Sequence, residues 1–148
     1  MKIKEIMTTD VITVGEYMSV TEVAKIVSEN KIHAVPVVDG ERKVLGIITE
    51  TDFFTKGDAS MIYMPSLIDF VKSGKIDYKE KEGDTVSKVI DAKAKDIMTI
   101  KCENISPELE LADFVKLIKE KSFNSYCVVD EKNVLLGIMT VADAIKLL

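Results

Sequence analysis

Two segments of the sequence place a threonine three residues before an aspartate, directly after an apolar run. They are VLGIITETD, which ends at Asp52, and LLGIMTVAD, which ends at Asp143. The apolar run predicts a strand, and the threonine that ends it, Thr49 or Thr140, is able to cap a helix. The first turn of a helix has unpaired N–H groups and partial positive charge, which suit a phosphate. The aspartate lies one turn further on the same face, where it can accept hydrogen bonds from the two hydroxyls of a ribose.

The same spacing also has a purely structural interpretation. A threonine followed three residues later by an acid can form a capping box at the start of a helix. The spacing alone favours this structural role. Its occurrence twice, each time three residues after a glycine (Gly46 and Gly137), brings the ribose-phosphate hypothesis close to equal weight.

The two segments belong to a longer internal repeat. KEIMT at positions 4–8 matches KDIMT at 95–99, and PVVDG at 36–40 matches CVVDE at 127–131. Positions 4 and 95, 46 and 137, and 52 and 143 all differ by 91, so the copies align without a net gap. We expect a duplicated unit that cannot bury its apolar face alone and packs against its twin.

The first copy predicts the order strand, helix, strand, strand, helix. VITV, at positions 11–14, is a short β-prone run. The helix after it has apolar residues at helical spacing, with Ser19 as its cap and Glu22 placed to complete a capping box. AVPVVD and KVLGIIT are the next strands, joined by a tight turn that begins at Asp39. TETDFFT then begins the second helix.

The second copy predicts the same order. SPELELADFVKLIKEK is its first helix, with Ser106 as the cap and Pro107 at the first helical position. YCVVDEKNVLLGIMT supplies the strand pair, and VADAIKLL is the last helix. Between the copies lies a helical insertion, residues 57–94. Its MIYM segment, at positions 61–64, either covers part of the paired core or lines a ligand cleft or a dimer contact.

These features resemble the cystathionine-β-synthase (CBS) domain. The resemblance is carried by IMT before the first strand, by AVPVVD in the middle and by the glycine-to-aspartate segment at the end, all in the same order twice. It covers residues 1–56 and 95–148. It implies an α/β (α+β) fold of two β-α-β-β-α repeats that pack through their sheets as a pseudo-two-fold pair, a Bateman module.

The resemblance also implies a function. Similar CBS pairs bind an adenosyl ligand (AMP, ADP, ATP or S-adenosylmethionine), with the aspartate on the ribose, and form homodimers that signal to a separate effector protein. The residues implied for the Asp52 site are Thr49, Thr51, His33, Thr99, Cys102 and Phe123. Those implied for the Asp143 site are Thr140, Thr8, Val11, Ile12 and Ile32.

The two implied sites are unequal. At the positions that match His33 and Thr51, the second copy has Asn124 and Ala142. The Asp52 site therefore has more groups that could bind phosphate. The base pocket of that site contains Glu103, whose carboxylate either repels phosphate or accepts a hydrogen bond from an adenine amino group. We expect one occupied site, that of Asp52. A structural dimerisation or docking module with unoccupied clefts is the alternative, favoured by Glu103 and Ala142.

Composition narrows the function classes further. The formal net charge of −5 argues against a surface that binds nucleic acid. No apolar run approaches the roughly 18–20 residues that span a bilayer, and two cysteines are too few for a disulfide framework. A cytoplasmic protein is therefore expected. The sequence contains no nucleophile–base arrangement and no cluster of metal ligands, so we predict neither an enzyme nor a metal site.

Overall fold

The computed structural model of the protein describes residues 1–53, 92–100 and 103–148. Within these ranges the chain forms two three-stranded sheets and four α-helices. The strands are β1 (Val14–Gly15), β2 (Ala34–Val38), β3 (Val44–Thr49), β4 (Asn104–Ile105), β5 (Ser125–Val129) and β6 (Leu135–Thr140). The helices are α1 (Val20–Glu29), α2 (Ala94–Ile97), α3 (Leu111–Glu120) and α4 (Val141–Lys146), with 3-10 helices at Ile3–Glu5 and Glu50–Phe53. Cys102 and the MIYM segment lie outside the described residues.

The two sheets have the same topology. In each, the first strand pairs in parallel with the second, and the second pairs antiparallel with the third. Both antiparallel pairs change register at the same relative place, between Val37 and Val38 and between Val128 and Val129. The turns that follow also match, because Arg42 and Asn133 both have a left-handed backbone, with φ of 66° and 65°. The repeat predicted from the sequence is thus confirmed down to its irregularities.

Local signals set the first helix. The Ser19 side chain accepts a hydrogen bond from the Glu22 N–H at 3.2 Å, so the predicted cap of α1 is confirmed. Among the described residues, no bond from the Glu22 carboxylate back to Ser19 completes the capping box. Val20, Val23 and Ala24 lie buried on the side of α1 that packs against the first sheet. Burial of this apolar face, more than the cap, holds α1 in place.

The predicted start of the equivalent helix in the second repeat is wrong. Helix α3 begins at Leu111, five residues after the predicted cap, Ser106. The Ser106 hydroxyl accepts from the Glu108 N–H at 3.2 Å, which forms a turn instead of a helix start. The carbonyls of Pro107 and Leu109 accept hydrogen bonds from residues near the N-terminus of the chain. Bonds from a distant segment therefore take acceptors that a longer helix would have used.

The predicted first strands are shorter than expected. Of VITV only Val14 is in β1, and in the second copy only Asn104 and Ile105 form β4. The preceding residues are used to cross between the repeats, because Thr8 is already paired with Ile138 of the other repeat. Val11 packs at the contact between the two sheets instead of in a strand.

Each repeat contributes its leading segment to the core of the other. Ile3 is fully buried in the second repeat's core, and its N–H donates to the Leu109 carbonyl at 2.9 Å. Ala94 is fully buried in the first repeat's core, and its N–H donates to the Met18 carbonyl at 2.8 Å. We call residues 1–8 and 92–99 the exchanged segments.

A third apolar cluster joins the two sheets. Its buried members are Val44 and Ile47 of the first repeat and Cys127 and Leu135 of the second. Around it, the N–H of Val44 donates to the Asn133 carbonyl at 3.1 Å, and the N–H of Leu135 donates to the Arg42 carbonyl at 3.0 Å. The repeats therefore pack through their sheets as a pseudo-two-fold pair, as predicted.

Candidate functional site

Asp52 lies in the short 3-10 helix that follows β3. It is 5% exposed and is the one buried charged residue among the described residues. Its Oδ2 accepts from the Thr49 N–H at 2.8 Å and from the Thr49 hydroxyl at 3.2 Å. Its Oδ1 accepts from the Thr99 hydroxyl at 2.9 Å. Hydrogen bonds to the ionised form allow a carboxylate to remain charged at low exposure.

Thr99 reaches Asp52 because the second exchanged segment lies along β3. Its N–H donates to the Ile47 carbonyl at 2.9 Å, and the Ile47 N–H donates to the Thr99 carbonyl at 3.1 Å. The sequence interpretation had placed Thr99 at the Asp52 site from the family resemblance, and the structure brings these two side chains into contact. The carboxylate therefore lies where the two repeats meet.

Asp143 has a more open environment. Its Oδ2 accepts from the Thr140 N–H at 2.9 Å and from the Thr140 hydroxyl at 2.7 Å, and the Asp143 N–H donates back to that hydroxyl at 3.1 Å. This is a complete capping box for α4. The other oxygen, Oδ1, lies 3.8 Å from the Lys146 ammonium, and the Asp143 side chain is 24% exposed. The capping role proposed for the Thr-x-x-Asp spacing is thus present here.

The first exchanged segment approaches this second site through its backbone. Thr8 donates to the Ile138 carbonyl at 3.0 Å and accepts from the Ile138 N–H at 2.9 Å. Within the part of the chain that the structure describes, the Thr8 hydroxyl makes no hydrogen bond to Asp143. The two sites therefore share the backbone pairing with an exchanged segment, and among the described residues only Asp52 has a side-chain bond to that segment's threonine.

Steric crowding explains why each repeated segment has a glycine at this position. A Cβ on Gly137 would lie 2.7 Å from the Thr8 carbonyl oxygen and 2.7 Å from the Met7 sulfur. A Cβ on Gly46 would lie 2.9 Å from the Thr99 carbonyl oxygen and 3.0 Å from the Met98 sulfur. Only a residue without a side chain lets the exchanged segment come this close. The glycines thus permit the crossing that brings Thr99 to Asp52.

The side expected to hold phosphate contains a hydrogen-bonded pair of side chains that the sequence interpretation missed. His33 Nδ1 lies 2.7 Å from Glu50 Oε1, and the two side chains are 82% and 61% exposed. The Thr51 hydroxyl is 3.0 Å from that of Thr49. Glu50 could have been found from its place between Thr49 and Thr51, since the matching residue in the second repeat is the uncharged Val141.

The residues expected to line the base pockets have varied surroundings. Phe123 is half-buried and meets the Tyr126 ring edge to face, with ring centroids 6.3 Å apart. Glu103 pairs with Lys121 at 3.0 Å. Of the residues expected at the Asp143 site, Val11 packs between the sheets, Ile32 packs on the first core and Ile12 is exposed.

Three further features of the described ranges concern metal ligands, membrane spans and cavities. No group of three histidine, cysteine or acidic side chains in the described ranges could hold a metal ion. In the same ranges, no helix has the length and apolar character to cross a membrane. An open cavity of about 580 Å³ between β1, β2 and the start of α1 contains none of the predicted site residues.

The architecture of two β-α-β-β-α repeats with exchanged segments is that of a CBS pair. Residues 3–57 and 94–148 each match the family model of the CBS domain, so the protein belongs to the CBS-domain family. The sequence is 29% identical over 154 residues to the uncharacterized protein MJ1426 of Methanocaldococcus jannaschii, covering 100% of this chain and 91% of that one.

Solved structures share the fold. CBSX2 from Arabidopsis thaliana, solved in complex with AMP, has a TM-score of 0.72 at 20% identity, over 99% of this chain and 94% of that one. The CBS domain pair of MJ0100, solved in complex with 5′-methylthioadenosine and S-adenosyl-L-methionine, has a TM-score of 0.70 at 20% identity, over the same shares of the two chains. At this identity the likeness shows the fold of the chain.

Proposed function

We propose that this protein is a non-catalytic regulatory module that binds an adenosyl nucleotide between its two CBS repeats. The observation that carries the proposal is the position of Asp52. Its carboxylate belongs to the first repeat, accepts a hydrogen bond from Thr99 of the second, and is buried where the two meet. A charged acceptor at such a junction suits the paired hydroxyls of a ribose.

The ligand class is supported by structures of similar fold. AMP is bound by CBSX2, and 5′-methylthioadenosine and S-adenosylmethionine are bound by the MJ0100 pair. These ligands share an adenine and a ribose with two free hydroxyls, and they differ at the 5′ position. We propose that the Thr-x-x-Asp segments recognise the shared ribose. ADP and ATP, which carry the same ribose, remain in the proposed class.

The output of such a module is a change in shape or assembly. A ligand can shift an equilibrium only through different affinities for the two states, and a ligand held by residues of both repeats has that property when their contact changes. We propose a cytoplasmic homodimer that acts on a separate effector protein. No chemistry on the ligand is required.

A specific observation favours a second function, a structural dimerisation or docking module with unoccupied clefts. Thr140 and Asp143 satisfy one another in a complete capping box, and both Asp52 oxygens accept hydrogen bonds within the protein. On this hypothesis the aspartates hold helix starts and the contact between repeats, and ligands leave the protein unchanged.

Thermal unfolding of the purified protein with AMP, ADP, ATP or S-adenosylmethionine at millimolar concentration tests the proposal. A ligand at 100 times its dissociation constant adds about 2.7 kcal/mol, which raises Tm by several degrees for a chain of this size. Asp52→Asn and Asp143→Asn retain an oxygen for the cap and lose the charge, so together they should abolish the shift.

Asp39→Asn is the matched control. Asp39 also accepts backbone N–H bonds, from Glu41 and Lys43 at 2.9 Å, in the hairpin turn. It should leave the ligand-induced shift intact. An unchanged Tm of the wild-type protein with all four ligands would refute nucleotide binding and leave the structural module.

A further inference from the structure

We propose that Thr99 is a specificity-determining residue that weakens the Asp52 site by competing with the ligand for its carboxylate, so that the Asp143 site fills first. The inference rests on the proposed adenosyl binding and adds an order of filling to it. The two sites should differ in affinity, because the residue equivalent to Thr99 in the other repeat, Thr8, makes no such bond in the described structure.

The Asp52 carboxylate has few acceptor sites left for a ligand. A carboxylate offers about four lone-pair directions. At Asp52, at least three are used, by the Thr49 N–H, the Thr49 hydroxyl and the Thr99 hydroxyl. A ribose presents two hydroxyls and needs two acceptors. At 5% exposure the carboxylate has little open surface on which to add both, so a ligand must displace a bond that is already present.

The hydrogen bond from Thr99 to Asp52 is the one that a ligand can displace. The two Thr49 bonds are local and hold the turn into the 3-10 helix. The Thr99 hydroxyl can leave Oδ1 by rotation about χ1, since the segment stays attached to Ile47 through two backbone bonds of 2.9 and 3.1 Å. Displacement of this hydroxyl therefore breaks its charge-assisted hydrogen bond to Oδ1 and does not require the exchanged segment to detach.

One oxygen of the Asp143 carboxylate is less occupied than its counterpart at Asp52. At Asp143 the Thr140 bonds fall on Oδ2, as the Thr49 bonds do on Asp52. Oδ1 has only the 3.8 Å contact with Lys146 in the described ranges, and that lysine is 76% exposed. A ribose can approach this oxygen without displacing an internal hydroxyl donor. The proposed order of filling is thus the opposite of the preference for Asp52 drawn from the sequence, which counted hydroxyl and basic groups on the phosphate side.

Isothermal titration with AMP and, separately, S-adenosylmethionine tests the proposal on the full chain. In an Asp143→Asn background, which leaves the Asp52 site, Thr99→Val removes the competing hydroxyl at nearly constant volume. The affinity of the remaining site should rise at least about 10-fold, the equivalent of one hydrogen bond to a charged group. Thr99→Ser, which keeps the hydroxyl, should restore the lower affinity.

Thr21→Val in the same Asp143→Asn background is the matched control. The Thr21 hydroxyl lies 3.1 Å from that of Ser19 at the start of α1, and its loss should leave the affinity of the remaining site within about twofold. An affinity that is unchanged or lower in the Thr99→Val protein would overturn the role of Thr99 while leaving nucleotide binding intact. The absence of binding heat from the wild-type protein with both probes would refute the proposed function together with this inference.

A second measurement avoids the Thr99 variants, in case they fold poorly. A two-site titration of the wild-type protein should resolve a tighter and a weaker event. Asp143→Asn should remove the tighter one and Asp52→Asn the weaker one. The opposite assignment, or two sites of equal affinity, would overturn the proposal.

Discussion

Replacing Gly137 by alanine tests the segment exchange most directly. The new Cβ would lie 2.7 Å from the Thr8 carbonyl oxygen and from the Met7 sulfur. The sulfur belongs to a flexible side chain and can move away, whereas the carbonyl belongs to the backbone of the exchanged segment. Ordinary contact begins near 3.4 Å, so this segment must separate from β6 by about 0.7 Å.

That displacement sets the expected magnitude. The two backbone bonds between Thr8 and Ile138, now 3.0 and 2.9 Å, would lengthen beyond useful hydrogen-bonding distance. Their loss costs about 1 kcal/mol each, and overpacking adds about 1–3 kcal/mol. We expect the free energy of unfolding to fall by roughly 3–5 kcal/mol, and Tm by roughly 6–20 °C at roughly 2–4 °C per kcal/mol.

Thermal and denaturant unfolding of a graded glycine series is the assay. Gly46→Ala meets its nearest carbonyl at 2.9 Å and should cost less than Gly137→Ala. Gly40→Ala and Gly15→Ala are matched controls, because a Cβ at either glycine has nothing within 4 Å and neither residue has a left-handed φ. Equal Tm values for the Gly137 and Gly40 variants would refute the steric reasoning and the close crossing on which it rests.

Two other predictions follow from single side chains. The Tyr126 hydroxyl is buried with no hydrogen-bond partner among the described residues, so Tyr126→Phe should raise the free energy of unfolding by about 1 kcal/mol. Burial raises the pKa of Tyr126, so wild-type stability should fall more steeply than that of the variant above pH ~10; a less stable variant in denaturant unfolding would contradict this. Hydrogen bonds from Lys2 and then Lys4 lower the pKa of Glu108 to about 2. This exposed contribution is therefore present above the unfolded pKa near 4.5 and is lost as pH falls towards 2. Acid unfolding of Glu108→Gln should lack that part of the pH dependence, and an identical profile would show that the pairs contribute nothing to stability.

The sequence predicted the elements whose signals are local. Alternating and continuous apolar runs located β2, β3, β5 and β6, and Ser19 marked the start of α1. The 91-residue offset predicted that both halves would have the same topology. Helix α4 also begins where Thr140 predicted, because its cap and its acid are three residues apart.

The errors lie where distant parts of the chain meet. Nothing near Ser106 shows that Lys4 donates to the Pro107 carbonyl, so the helix start was placed too early. The first three residues of VITV cross between repeats instead of entering a strand, since Thr8 is already held by Ile138. Local propensity is overridden here by tertiary contacts.

At the candidate site, too, contacts between nearby residues could be predicted from the sequence, and contacts between distant residues could not. Its local pairs, Thr49 with Asp52 and Thr140 with Asp143, follow from spacing alone. The contact of Thr99 with Asp52 spans 47 positions, and the family resemblance, not the spacing, placed the two together. The His33–Glu50 pair follows from the register of β2 with β3, in which Ala34 pairs with Thr49, and a pattern of residue types does not specify that register.

The exchange of leading segments means that damage to one half of this chain is felt in the other. A lesion at Ile3 empties a position in the core built around Phe114, and a lesion at Ala94 disturbs the core around Val23. Each half has its own sheet, yet its core includes a residue from the leading segment of the other half. A single-repeat ancestor would have lacked that residue, and association with an identical copy would have supplied it to both. Once the two copies lay on one chain, Thr99 and Thr8 could diverge in the contacts they make.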